Sequence, residues 1–128
     1  MTVIEKWHHM MTTRSFEELD ELLAEDAIMY SPVVFTPQRG KYITKMYLAA
    51  AGHVIGNEHF KYVKEIVGER SACLEFETEI EGKYVNGVDL ITWNEDQQIT
   101  EFKVMIRPLQ AVNVVWEEMG KLLEKMKS

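Results

Sequence analysis

Among the 128 residues, Asp89 is the acid whose setting has chemical consequences. It lies in Gly87-Val88-Asp89-Leu90-Ile91-Thr92-Trp93, a run of β-branched and aromatic residues that predicts a strand. Side chains alternate along a strand, so Asp89 shares a face with Ile91 and Trp93. An isolated carboxylate on an apolar face is too costly to keep ionised. It must find a partner, reach water, or hold its proton at neutral pH. Asp89 is then either the polar handle of a ligand pocket or a structural acid hydrogen-bonded to Trp7, Tyr47 or a helix N-terminus.

Few other residues offer chemistry, and each has a plainer alternative. Tyr47 is a second polar group for such a pocket, or a core tyrosine with a satisfied hydroxyl. His53, late in a predicted helix, is a proton carrier at the pocket mouth or a helix-end histidine favoured by the dipole. Trp7 and Trp93 are ligand platforms or plain core. His8 and His9 are adjacent, so they point to different sides of a helix and cannot chelate together. His53 and His59 are separated by a predicted helix end. Without a His-Glu-x-x-His motif or paired cysteines, neither a metal site nor a cofactor is expected. Cys73 has no visible activating partner, and no glycine-rich phosphate loop is present.

The elements that must position these groups run helices first, then strands, then a helix. Residues 3–12 carry Val3, Ile4, Trp7, Met10 and Met11 at helical spacing. Ser15 with Glu18 forms a capping-box pattern opening a second helix, with Phe16, Leu19, Leu22 and Leu23 on its apolar side. Residues 27–31 predict a short strand that Pro32 stops. Residues 41–54 predict a helix with Ile43, Met46, Tyr47, Ala50 and Val54 as its inner stripe, closed by Gly56.

From about residue 58 the period switches from 3.6 to 2. Leu74, Phe76, Thr78 and Ile80 share one face of a strand, and the glutamates of residues 75–81 share the other. Glu81-Gly82-Lys83 is a turn, the Asp89 strand follows, and residues 94–98 form a second turn. That turn lacks the usual Asp-Gly, so either a non-glycine residue takes positive φ or the loop is wider. Phe102, Val104 and Ile106 face one way on the last strand; Glu101, Lys103, Met105 and Arg107 face the other. The short connections predict an antiparallel meander. Pro108 suits the first turn of a closing helix, whose stripe is Leu109, Val112, Trp116, Met119, Leu123 and Met126. Lys103 and Arg107 are available to pair across strands with the glutamate row.

The fold class this predicts is α+β: a cone-shaped, curved antiparallel sheet, or half-barrel, packed against N-terminal helices and closed by a C-terminal helix. No linker or repeat divides the chain, so one domain spanning 1–128 is expected. The pocket wall should come from Phe76, Ile91, Trp93, Phe102 and Val104 on the inner sheet face. Trp7, Ser31 and Met46 should complete it from the surrounding elements.

Charge narrows the partners. Basic residues number 14 against 21 acidic, a net charge of −7, and such a surface repels phosphate backbones. Nucleic acid is not an expected partner. No apolar run approaches bilayer-spanning length, so no membrane partner is expected. The N-terminus lacks a basic segment followed by an apolar one, and the single cysteine fits a reducing compartment. Cytoplasmic is the expected location. Val88 and Leu90 point outward beside Met105, an apolar strip flanked by charge, which predicts a homodimer through the outer sheet face.

The order of elements carries a resemblance, as do the Asp-Ala-Ile-Met-Tyr-Ser-Pro segment, the Gly-Val-Asp strand and the Phe-Lys-Val-Met-Ile-Arg-Pro-Leu junction. Together they resemble the nuclear transport factor 2-like superfamily over nearly the whole chain, in its SnoaL-like and ketosteroid-isomerase-like branches. The resemblance identifies the fold well and the activity poorly, because this fold hosts isomerases, cyclases, dehydratases, epoxide hydrolases and binding domains.

What the resemblance implies is uneven from residue to residue. Asp89 matches the protonated Asp that in ketosteroid isomerases donates to the developing oxyanion. The oxyanion tyrosine of the first helix falls on Trp7, whose indole N–H can donate but cannot shuttle a proton. A supporting tyrosine falls near Tyr47. The general base, an Asp before a Pro, falls on Ser31, and a serine with no adjacent base cannot take a proton from carbon near neutral pH. Epoxide hydrolases of this fold carry an Arg where this chain has Gly87. SnoaL-type cyclases need a pocket-facing acid on the last strand, where Glu101 points away.

The expectation is therefore a domain that binds, and in an isomerase, cyclase or dehydratase manner transforms, an apolar small molecule anchored by Asp89. The alternative is a non-catalytic dimeric domain whose pocket is filled by its own side chains. A cavity of roughly 300 Å³ or more beside Asp89 separates the two; Phe102, Trp93 and Met46 closing over the carboxyl would favour the alternative.

Overall fold

The computed structural model describes residues 1–127. The first helix, α1 (Val3–Thr13), opens on a capping box in which Thr2 and Glu5 satisfy each other's backbone N–H groups. It buries Val3, Ile4, Trp7 and Met10. Ser15 makes no side-chain cap; a 3₁₀ turn at Phe16–Glu18 leads instead into the short helix α2 (Leu19–Leu22). Strand β1 (Leu23–Tyr30) is longer than its sequence signal, and β2 (Gln38–Arg39) pairs briefly with it.

The third helix, α3 (Lys41–Val54), is rotated from its predicted stripe. Thr44, Leu48, Ala50 and Gly52 are its buried residues, while Met46 and Tyr47 are only half-buried. Thr44 is accommodated because its hydroxyl donates to the Ala27 carbonyl on β1 at 3.2 Å. Gly56 does not end α3 by a left-handed turn. Its lack of a side chain is required by space, since a Cβ there would stand 2.6 Å from the Gly52 carbonyl and 3.2 Å from Met11 Cε.

The remaining strands are β3 (Lys61–Val67), β4 (Ser71–Ile80), β5 (Lys83–Trp93) and β6 (Ile99–Arg107). The sheet order is β2-β1-β6-β5-β4-β3, an open six-stranded array. The meander β3 to β6 is antiparallel, as its short turns dictate. The expected antiparallel sheet is nevertheless mixed, because β1 lies parallel to β6. Those two strands are joined by most of the chain, so no hairpin fixes their direction. Bulges in the β1–β6, β3–β4 and β5–β6 pairings interrupt the ladders, and this sheet curves without closing. The β4–β5 turn puts Glu81 and Gly82 at positive φ, and in the next turn Gln97 takes φ 62 without a glycine.

The closing helix, α4 (Leu109–Lys127), packs on α3 and on β4, β5 and β6. Its buried side is Ala111, Val114, Val115 and Met119, while Leu109 and Trp116 of the predicted stripe are 75% and 61% exposed. The sequence is apolar on both sides of this helix, and the narrower Ala/Val side is the one that fits against the sheet. The glutamate row also differs from expectation. Asn86 bridges Glu75 and Arg107, accepting from the Arg107 guanidinium at 2.8 Å and donating to Glu75 at 3.0 Å. Lys103 lies instead over the Tyr30 ring at 4.9 Å.

Candidate functional site: a buried acid on a directional hydrogen-bond chain

Asp89 sits mid-sheet, with Leu74 of β4 and Val104 of β6 as its register partners. Both neighbours are apolar, so the carboxyl has no cross-strand donor, and it is only 6% exposed. Its hydrogen bond comes from a residue two strands away: the Tyr62 hydroxyl on β3 donates to Asp89 Oδ2 at 2.7 Å. The Tyr62 oxygen in turn accepts from Trp7 Nε1 on α1 at 2.8 Å.

This chain has a fixed direction. An indole nitrogen only donates, so Tyr62 must accept from Trp7 and spend its own hydrogen on Asp89. Burial, followed by the nearby Asp89 charge, pushes the Tyr62 hydroxyl well above its usual pKa, so it stays protonated. Burial raises the Asp89 pKa to about 7, partly offset by the bond from Tyr62. The acid is therefore substantially neutral at and below pH 7. Because Oδ2 is occupied as an acceptor, the proton of the neutral form belongs on Oδ1.

Asp89 borders a small cavity of about 30 Å³, walled by Trp7, Leu48, Ile55, Phe76, Phe102 and Val104, with Met11, Ala51 and Gly52 completing it. That space is right for a water or two beside a polar atom. It is far below roughly 300 Å³, so the expected ligand-sized cavity is not open here. Of the three residues whose closure would signal a self-filled pocket, only Phe102 lines it.

The other sequence candidates are dispersed. Phe76, Phe102, Val104 and Trp7 meet at the acid, as their faces predict. Ile91 and Trp93 are buried in the core but do not line the cavity. Tyr47 packs half-buried against the core, and the acid's bond comes from Tyr62 in its stead. Met46 borders a separate surface groove with Tyr42, Lys45 and Met126. Exposed His53 stacks edge-on to Phe16 at 5.4 Å and borders a different depression beside α4. Ser31 is half-buried, and its hydroxyl accepts from the Val33 N–H at 3.2 Å, which binds it into the local turn. Among the described residues, no group of three or more His, Cys, Asp or Glu could hold a metal ion, and no helix is long and apolar enough to cross a membrane.

Tyr62, the hydrogen-bond partner of Asp89, is the residue of this chain of bonds that sequence reasoning missed. Its signal was the spacing Phe60-x-Tyr62, two aromatics on one strand face at the start of the period-2 region.

The fold and site define an open α+β cone with a neutralisable acid on its inner sheet face. No protein-family model matches this sequence, and no curated protein matches it. Solved structures do. A steroid delta-isomerase from Pseudomonas aeruginosa is 30% identical, with a TM-score of 0.92 over 97% of this chain and 90% of that one. A protein with a cystatin-like fold from Silicibacter pomeroyi is 26% identical, with a TM-score of 0.87 over 95% of this chain and 85% of that one. SalBIII, an epoxide hydrolase/cyclase-like enzyme of pyran ring formation in salinomycin, shares the fold at 15% identity and a TM-score of 0.66, over 84% of this chain and 89% of that one. The chain belongs to the nuclear transport factor 2-like superfamily, in its ketosteroid-isomerase-like branch.

Proposed function

We propose that the protein binds a small apolar molecule carrying a carbonyl or phenolic oxygen, and that this oxygen accepts a hydrogen bond from protonated Asp89. The observation that carries this reading is a neutralisable carboxyl whose Oδ2 is held by Tyr62 and which borders a cavity. An oxygen gaining negative charge beside such a donor is stabilised most as the charge develops. The chemistry that follows is proton transfer next to a carbonyl, of isomerase, cyclase or dehydratase type, with Asp89 as the acid. The 30% identity to a steroid delta-isomerase supports this class. Ser31, at the position of the family base, cannot remove a proton from carbon, so binding by Asp89 is separable from turnover.

The test is thermal unfolding with planar phenols and steroid-like ketones, on wild type and Asp89→Leu, which keeps the size of the side chain and removes its donor. A true ligand at a hundred times its Kd stabilises the fold by about 2.7 kcal/mol. The shift should shrink in Asp89→Leu; equal shifts in both proteins would remove Asp89 from the site. One observation favours a second reading: the 30 Å³ cavity is what a non-catalytic domain with a self-filled pocket would have.

In either reading we propose a homodimer through the outer sheet face. The register sets Ile66, Cys73 and Leu90 in one row across three strands, next to Val88 and Met105. Ile66 and Met105 are 60% and 49% exposed, so this row presents apolar side chains to water. Light scattering should give twice the chain mass for wild type and the monomer mass for Leu90→Glu. A monomeric wild type at micromolar concentration would end the proposal.

A further inference from the structure

A groove of about 520 Å³ runs along the surface between α1 and residues 56–62. His8, Met11 and Thr12 line it at helical spacings of three and four, so one face of α1 forms its first wall. Phe60 and Tyr62 line it from the strand side, packed edge to face at 4.9 Å. Among the described residues, His8 is the one histidine with a carboxylate hydrogen-bonded to its ring, since Nε2 is tied to Glu65 on β3. The same ring stands edge-on to Tyr62 at 5.2 Å, so it is held from two sides. The geometry points to a second acid–base site in this groove, with His8 as its general base and Glu65 as a positioning residue. It needs no contribution from Asp89.

The backbone of β3 is what brings the pair together. In a regular strand Tyr62 and Glu65, three apart, would face opposite sides of the sheet. The bulge between Tyr62 and Lys64 removes that opposition. Tyr62 now pairs with Phe76 and Glu65 with Leu74, both buried on the inner face, so both side chains meet α1. A carboxylate on Nε2 accepts its hydrogen, which leaves Nδ1 as the nitrogen whose lone pair takes a proton. Glu65 then compensates the charge that the ring acquires. Arg14 also lines the groove, with its guanidinium on the Gly56 and Gly52 carbonyls, and its positive charge favours an anionic leaving group. The other acid on the groove, Glu58, pairs with His59 at 3.5 Å. The substrate class that fits is a planar aromatic molecule with an acidic C–H, laid against Phe60 and Tyr62. His8 Nδ1 takes the proton, the C–H electron pair forms a new π bond, and the bond to an oxygen leaving group breaks, releasing an oxyanion.

The probe for such a base is 5-nitrobenzisoxazole, which loses its C–H proton and opens to a coloured cyanonitrophenolate. Wild type should open it about a hundredfold faster than free imidazole at the same concentration and pH. His8→Ala should lower kcat/KM about twentyfold, and added imidazole should restore about half of that loss. Glu65→Gln keeps an acceptor for Nε2 but no charge, so kcat should fall about fivefold with KM within twofold. His9→Ala, on another side of α1, should leave the rate within twofold. A wild type no faster than imidazole overturns the site, and so does an unchanged rate in His8→Ala. A loss in His8→Ala that imidazole does not restore also overturns it, and makes the His8–Glu65 pair a strap between α1 and β3.

Discussion

Asp89→Asn is expected to stabilise the protein at pH 8 by up to about 4 kcal/mol and to leave it almost unchanged at pH 4. The argument is linkage. In the unfolded chain the carboxyl titrates near 3.8, and in the folded protein burial lifts it to about 7. The folded state therefore holds this proton more tightly. The stabilisation is full below about pH 3.8, declines as pH rises, and is lost above about pH 7. A displacement of that size corresponds to about 4 kcal/mol at 1.36 kcal/mol per pH unit. Asparagine mimics the neutral acid at every pH, and its carbonyl can still accept from Tyr62. The difference between the two proteins should grow from pH 4 to pH 7 and then level, as measured by urea unfolding at each pH. Other carboxylates titrate too, but they are common to both proteins and cancel in the difference. Parallel stability curves would mean that Asp89 is ionised in the fold and cannot be a donor.

That acid was legible in the sequence because strand alternation needs no tertiary information. The same period gave the inner face of β4, where Leu74, Phe76, Thr78 and Ile80 are all buried. It gave Phe102 and Val104 as neighbours of the acid. What alternation cannot give is register between strands. Tyr62 lies two strands from Asp89, and a bulge between Tyr62 and Lys64 shifts the β3–β4 pairing, so no count along the chain predicts that the two meet. Helix facing failed for a different reason. Two apolar stripes compete on α4, and only the space left over the sheet selects Ala111 and Val115 over Leu109 and Trp116. The cavity was not legible either, because its volume depends on how Met11, Leu48 and Ile55 from two helices close over Phe76.

Tyr62→Phe removes the middle of the Trp7–Tyr62–Asp89 chain and should cost about 3 kcal/mol, seen as a fall of about 10 °C in Tm. Two losses combine. The Trp7 indole N–H, on a side chain 3% exposed, is left without its acceptor. Asp89 loses the hydrogen bond that favours its charged form, so its pKa should rise above about 7. An infrared carboxyl titration should show that upward movement, which a merely loosened core would not produce. A double-mutant cycle isolates the coupling. Trp7→Phe with Tyr62→Phe removes donor and acceptor together, so no indole N–H is orphaned, and the pair should cost 1–3 kcal/mol less than the sum of the singles. Additive costs, or a carboxyl midpoint that does not rise in Tyr62→Phe, would mean the three groups do not act as one chain. In that case the orientation of the Asp89 proton toward the cavity, on which a donor role depends, would have no structural support.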